Sequence, residues 1–178
     1  MARPTGAVAW RHASGHPWNR VWTRRAALAT VGALAISVAA CGIRIGSFEM
    51  RFGTIDESLD SGISVAWTVV VRSGSEWARL WQDHEARMTA SRPLPLVNFG
   101  RDIVVGVFLG QRPDRCHRVR IERVQLIDDG RLIVRYREIV ARSDAACAPA
   151  TSYPAAIARV PLTDLPVHFE RMGTLYLD

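Results

Sequence analysis

The stretch Asp102–Gly110, DIVVGVFLG, constrains the fold more than any other part of this chain. From Ile103 to Leu109 it carries no polar side chain. A strand with one wet face alternates apolar and polar residues, whereas an unbroken short apolar run needs cover on both faces. The run therefore predicts a central strand held between two layers. Before it, the β-branched segment Ile63–Arg72, ISVAWTVVVR, reads as another strand. Between them, Ser73 with Glu76 three residues on forms a capping box. Trp77, Leu80, Trp81, His84 and Met88 then recur at helical spacing, which predicts an amphipathic helix with those residues on its buried face. Pro93 and Pro95 break the pattern after the helix.

Downstream, Arg118–Ile127 and Arg131–Val140 read as two strands around Asp129-Gly130. That dipeptide suits a two-residue hairpin turn, in which both central positions need positive φ. Leu132, Val134 and Tyr136 point one way, and Ile133, Arg135 and Arg137 the other. Glu122-Arg123 interrupts the alternation of the first strand and predicts a bulge. The segments SYPAAIARVPL and VHFERMGTLYL read as weaker strands, the first at an edge because of Pro154. The fold class expected is α+β, a mainly antiparallel sheet or sandwich with one principal amphipathic helix.

The amino-terminal part has a different logic. Arg20, Arg24 and Arg25 precede the apolar run Ala26–Ala40, which is 15 residues long and shorter than a membrane-spanning helix of about 20. Small residues at Ala39 and Ala40 suit a signal peptidase. Val38-Ala39-Ala40-Cys41-Gly42 resembles a bacterial lipobox, in which cleavage falls before a cysteine that then carries lipid. The competing reading is a buried free cysteine in a hydrophobic helix, but such a helix would lack any polar face. Arg24-Arg25 resembles a twin-arginine signal, although AALA after it fits that pattern poorly, which favours the general secretory route. The division expected is a lipoprotein signal peptide over 1–40, with a start codon placed too far upstream, a tether leading into the domain over 41–60, and a globular domain over 61–178.

Export changes the meaning of the charge. The whole chain carries +6, yet five of its 23 basic residues precede Cys41 and none of its 17 acids does. The mature part is therefore nearly neutral, without the basic surplus a nucleic-acid surface needs. Every basic residue is arginine. Three histidines remain, His84, His117 and His168, none with acidic residues at metal-ligand spacing. There is no zinc-protease helix, nucleophile elbow or phosphate loop. Gly106 and Gly110 sit in a strand and not at a dinucleotide turn, and Asp128-Asp129 is explained by turn chemistry. No catalytic residue, cofactor or metal site is expected. Once Cys41 is lipidated, an oxidising compartment leaves Cys116 and Cys147 to pair. A hairpin turning at 129–130 puts residue 143 opposite Cys116, four residues short of Cys147, and the alanines of SDAACAPA could fold back to close the gap. Two unpaired buried thiols are the alternative. A metal site is a poorer one, since two thiolates and His117 lack a fourth ligand.

Several of these segments together resemble one known family. SGI at Ser61–Ile63, SEWARLWQDH, LPLVNFGRDIVVGVFLGQRPD, HRVRIERV and SYPAAIARVP are similar, over about Ser61–Val160, to the carboxy-terminal domain of the protease complex subunit PrcB family. Asp114-Arg115-Cys116-His117 stands where members commonly have a glycine pair and an aromatic. The resemblance implies an envelope lipoprotein acting as an assembly or stability factor, with a protein partner such as an envelope protease. The expected function is thus a non-catalytic, lipid-anchored binding module on a membrane of the cell envelope, held through Cys41. The rival is a small envelope hydrolase or protease inhibitor using the loop GQRPDRCH. An exposed apolar patch favours the first, and a concave pocket with convergent polar groups the second.

Overall fold

The computed structural model describes residues 46–142 and 147–177. The segment 1–40 expected to be a signal peptide, Cys41 as the expected lipidation site, and the start of the expected tether lie outside the described residues. Eight strands and one helix follow in the order β1 (Phe48–Met50), β2 (Gly53–Ser58), β3 (Ala66–Val71), α1 (Gly74–Glu85), β4 (Asp102–Leu109), β5 (His117–Ile127), β6 (Arg131–Ala141), β7 (Ala155–Pro161) and β8 (Val167–Leu177). They form two four-stranded sheets, β1-β5-β6-β8 and β2-β7-β4-β3. The fold is α+β, mostly antiparallel, with one helix; only the β6–β8 pair is parallel among the described strands.

The double-sided burial of β4 has two causes. Ile103, Val105, Val107 and Leu109 join the core between the sheets, with Val119, Ile121, Val124, Leu132 and Val134 from the other sheet. Val104 and Phe108, on the opposite face, pack under α1 with Trp77, Leu80 and Trp81. The molecule is thus three layers: sheet, sheet, helix. The helix begins as its capping box predicts, with the Glu76 amide donating to Ser73 Oγ at 3.3 Å. It ends at Glu85, one turn before Met88.

Three local expectations are corrected. The β5–β6 hairpin turns through three residues, since Ile127 pairs with Arg131, and Gly130 alone of its glycine-capable positions supplies the left-handed φ, +76°. A three-residue loop with glycine in that conformation is a common hairpin solution. The predicted bulge is present: Ile121 pairs with Tyr136 and Arg123 with Arg135, leaving Glu122 as the extra residue. Secondly, β7 is not an edge. It lies between β2 and β4, and Ile157 and Val160 are fully buried. Pro154 precedes the strand, so its missing N–H removes nothing from the ladder, and its carbonyl accepts from the Leu109 amide at 2.9 Å. Thirdly, the segment before Ser61 supplies two strands, one to each sheet.

Cys116 and Cys147 form a disulfide, with Cα atoms 4.7 Å apart and a separation of 31 positions in sequence. The register places Ala141 next to Cys116, its amide donating to the Cys116 carbonyl at 3.1 Å. The second cysteine therefore folds back over a slightly longer path than a two-residue turn implies.

Candidate functional site

The histidines are the first place to look for chemistry. His84 is wholly buried on α1. Its Nε2 lies 2.8 Å from Asp56 Oδ2 on β2, and its Nδ1 lies 3.0 Å from Ser61 Oγ. Serine, histidine and aspartate in line have the composition of a nucleophilic triad. The surroundings decide against that use. Ser61 is also wholly buried, and its Oγ already accepts from the Ile63 amide at 3.2 Å. No substrate atom can reach a hydroxyl so enclosed. With Asp56 ionised, Nε2 donates to it and Ser61 donates to Nδ1, so a neutral imidazole satisfies every polar atom of the set.

The network continues outward. Arg92 donates to Asp56 Oδ1 at 2.5 Å and to Glu85 Oε1 at 2.6 Å. Burial opposes the charge on Asp56, but hydrogen bonds from His84 and Arg92 outweigh it and hold the carboxyl below its usual range. Glu85 is lowered in the same way, burial opposing and Arg92 prevailing. These groups tie together β2, the turn at Ser61, the end of α1 and the segment after it. Gly62 donates its amide to the His84 carbonyl at 2.8 Å, and a Cβ there would fall 2.1 Å from the Asp83 carbonyl oxygen. Only glycine lets the turn approach the helix this closely.

His117 belongs to a second cluster. Its Nδ1 lies 2.8 Å from the buried Glu138, which also receives Arg112 at 2.8 Å and Arg171. Burial raises the pKa of Glu138, while Arg112 and His117 more than reverse this and lower it. Asp114, three residues earlier, lies 3.6 Å from His117 Nε2, whereas Glu138 is a neighbour across the hairpin that no local spacing reports. Arg115 makes a bidentate pair with Asp60 at 2.6 and 2.8 Å. The charged side chains of GQRPDRCH are thus turned onto the body of the domain. His168 is exposed on β8, and Asp129 pairs with Arg131 in the hairpin turn. Among the described residues no three His, Cys, Asp or Glu side chains converge as a metal set.

A concave feature with a mixed lining lies elsewhere, between β3 and α1. It is a groove of about 270 Å³ with Trp67, Val69 and Leu80 in its floor, and Arg79 and Asp83 on its helical rim. Trp67 is 45% exposed while its ring stacks on buried Phe108, with centroids 5.9 Å apart. Val65 beside it is 66% exposed. The groove follows from the pleat. Trp67, Val69 and Val71 are paired with Phe108, Gly106 and Val104, the helix-side residues of β4. Gly106 opposite Val69 carries no side chain, and the Phe108 ring and the Val69 side chain close over it. The sequence reading took ISVAWTVVVR as one strand among several and did not single out its exposed edge, because exposure of an edge depends on strand order. The chain matches no family model, no curated protein and no solved structure.

Proposed function

We propose that this chain is a lipid-anchored protein of the cell envelope that binds another protein and has no catalytic step of its own. The observation that carries the reading is the groove between β3 and α1, where exposed Trp67 lies with Val69 and Leu80 beside the free edge of β3. A free strand edge with exposed apolar side chains beside it is a recurring kind of protein-docking surface. The Ser61–His84–Asp56 set, by contrast, is closed to solvent at its hydroxyl and its ring. The lipobox at Cys41 supports attachment to a membrane, because a diacylated cysteine anchors stably where one acyl chain is marginal. The resemblance to the PrcB family supports an accessory role, with an envelope protease as the partner to try first.

Two measurements test this. Intact mass of the membrane-extracted protein is expected to show loss of residues 1–40 and added acyl chains on Cys41, and Cys41→Ala is expected to leave the membrane fraction. A photo-crosslinking amino acid at position 67 is expected to capture one discrete protein in intact cells, whereas the same probe at His168 captures none. A Cys41→Ala protein that stays in the membrane fraction would refute the anchor. Equal capture at both positions would refute the site.

A further inference from the structure

The four free edges of the two sheets are not alike. Exposed edges are normally blunted by charge, proline, bulges or shortness, since an open row of backbone groups invites pairing. β1 is three residues long and carries Glu49. β2 contains Asp56 and Glu57 and a register shift between Thr54 and Asp56. β8 carries His168, Glu170 and Arg171, and its pairing with β6 shifts between Tyr136 and Glu138. β3 has none of these devices. Its sequence is AWTVVV, and it pairs with β4 without a break from Ala66↔Leu109 to Val71↔Val104. Its other side meets no strand among the described residues.

We propose that β3 binds an extended segment of a partner protein by strand addition, resting on the binding reading above. In this mode main-chain hydrogen bonds supply affinity, and pockets for alternate side chains supply specificity. β3 offers both. Every second residue directs its N–H and C=O away from β4, and the groove receives every second side chain of the incoming strand. The groove floor of Trp67, Val69 and Leu80 selects an aliphatic side chain. Arg79 and Asp83, one helical turn apart on the rim, have no ion pair among the described residues. Four helical residues rise about 6 Å, close to the spacing of two residues along a strand. The fitting segment therefore carries an acidic and a basic side chain two residues apart on its groove-facing side, next to an aliphatic one. A second copy of this chain fits less well. Six strand residues and one groove make a small contact, whereas a stable dimer buries about 800 Å² on each partner, and β3 itself brings no charge to Arg79 and Asp83.

The probe is a random dodecamer peptide library displayed against the full chain held in detergent. Selected peptides are expected to show the aliphatic residue and the acid–base pair at i and i+2. Amide exchange at residues 66–71 is expected to slow by about tenfold or more on binding. N-methylation of the peptide is expected to abolish binding at alternate positions only, since half of its amides face the ladder. Trp67→Lys, a charge placed on the edge, is expected to remove binding while the protein still folds cooperatively, and Arg79→Glu with Asp83→Arg to invert the order of charges selected. Strand addition is overturned if N-methylation has no alternating effect, if protection falls on another edge, or if no peptide binds tighter than about 100 µM. It is overturned equally if sedimentation shows a dimer whose residues 66–71 are protected without peptide. If the cellular crosslinks persist in any of these cases, the binding reading survives and only the strand-addition mode is lost.

Discussion

Asp56 sits at the centre of the buried polar set, and its behaviour can be followed by pH. Against burial, hydrogen bonds from His84 and Arg92 hold its carboxyl below the usual aspartate range, and Arg112 and His117 do the same for Glu138. Groups depressed in the folded state lend stability above their unfolded pKa and lose it as pH falls through the folded one. The urea midpoint is therefore expected to be level from pH 7 to about 5 and to drop below about pH 4. Asp56→Asn should weaken that drop while lowering stability at neutral pH. His84→Ala leaves Asp56 without its buried donor and opens a cavity, with an expected cost of about 3 kcal/mol by chemical denaturation. A loss that small in stability with partner binding intact in the folded fraction distinguishes a structural histidine from a catalytic one, whose removal costs about a hundredfold or more in rate. Gly62→Ala is expected to destabilise by about 1–3 kcal/mol, because its methyl would meet the Asp83 carbonyl.

At the scale of elements, α1 was the most legible part of the sequence. Its cap, its buried stripe and its approximate length all follow from local spacing, because a helix makes its hydrogen bonds within itself. Ser73→Ala is expected to cost about 1 kcal/mol, and Trp77→Ala about 3–5 kcal/mol, measured by urea unfolding. β4 and the β5–β6 hairpin, including the bulge at Glu122, were legible for a related reason: their partners are near in sequence or their burial is extreme. β7 was misjudged as an edge, and the strands at 48–58 were missed. Their neighbours lie about a hundred residues away, as in Gly53↔Arg159, and no local pattern reports such a pairing. The Asp56–His84–Ser61 set was invisible for the same reason, since His84 met its carboxylate only after β2 had been placed. The disulfide was foreseen from compartment and pairing, although the register differed by two residues. Reducing it is expected to lower stability by roughly 3–4 kcal/mol in the chain-entropy model, read as a shift in the urea midpoint with and without dithiothreitol.

The whole molecule is built mainly from distant pairings, and this sets its rate of folding. Domains dominated by non-local strand pairs fold in milliseconds to seconds. Stopped-flow refolding of the oxidised protein is expected to fall in that range, with tryptophan fluorescence following closure of α1 over the sheet. The position of β7 carries one more consequence. β2 and β4 are not hydrogen-bonded to each other; both pair with β7, which arrives about fifty residues after β4. A chain made from its amino end therefore holds the β3–β4 pair and a lone β2 with open edges until Ala155–Pro161 has emerged. Ribosome-bound fragments stopped before residue 155 should need holding by a chaperone, and those extended past 161 should not.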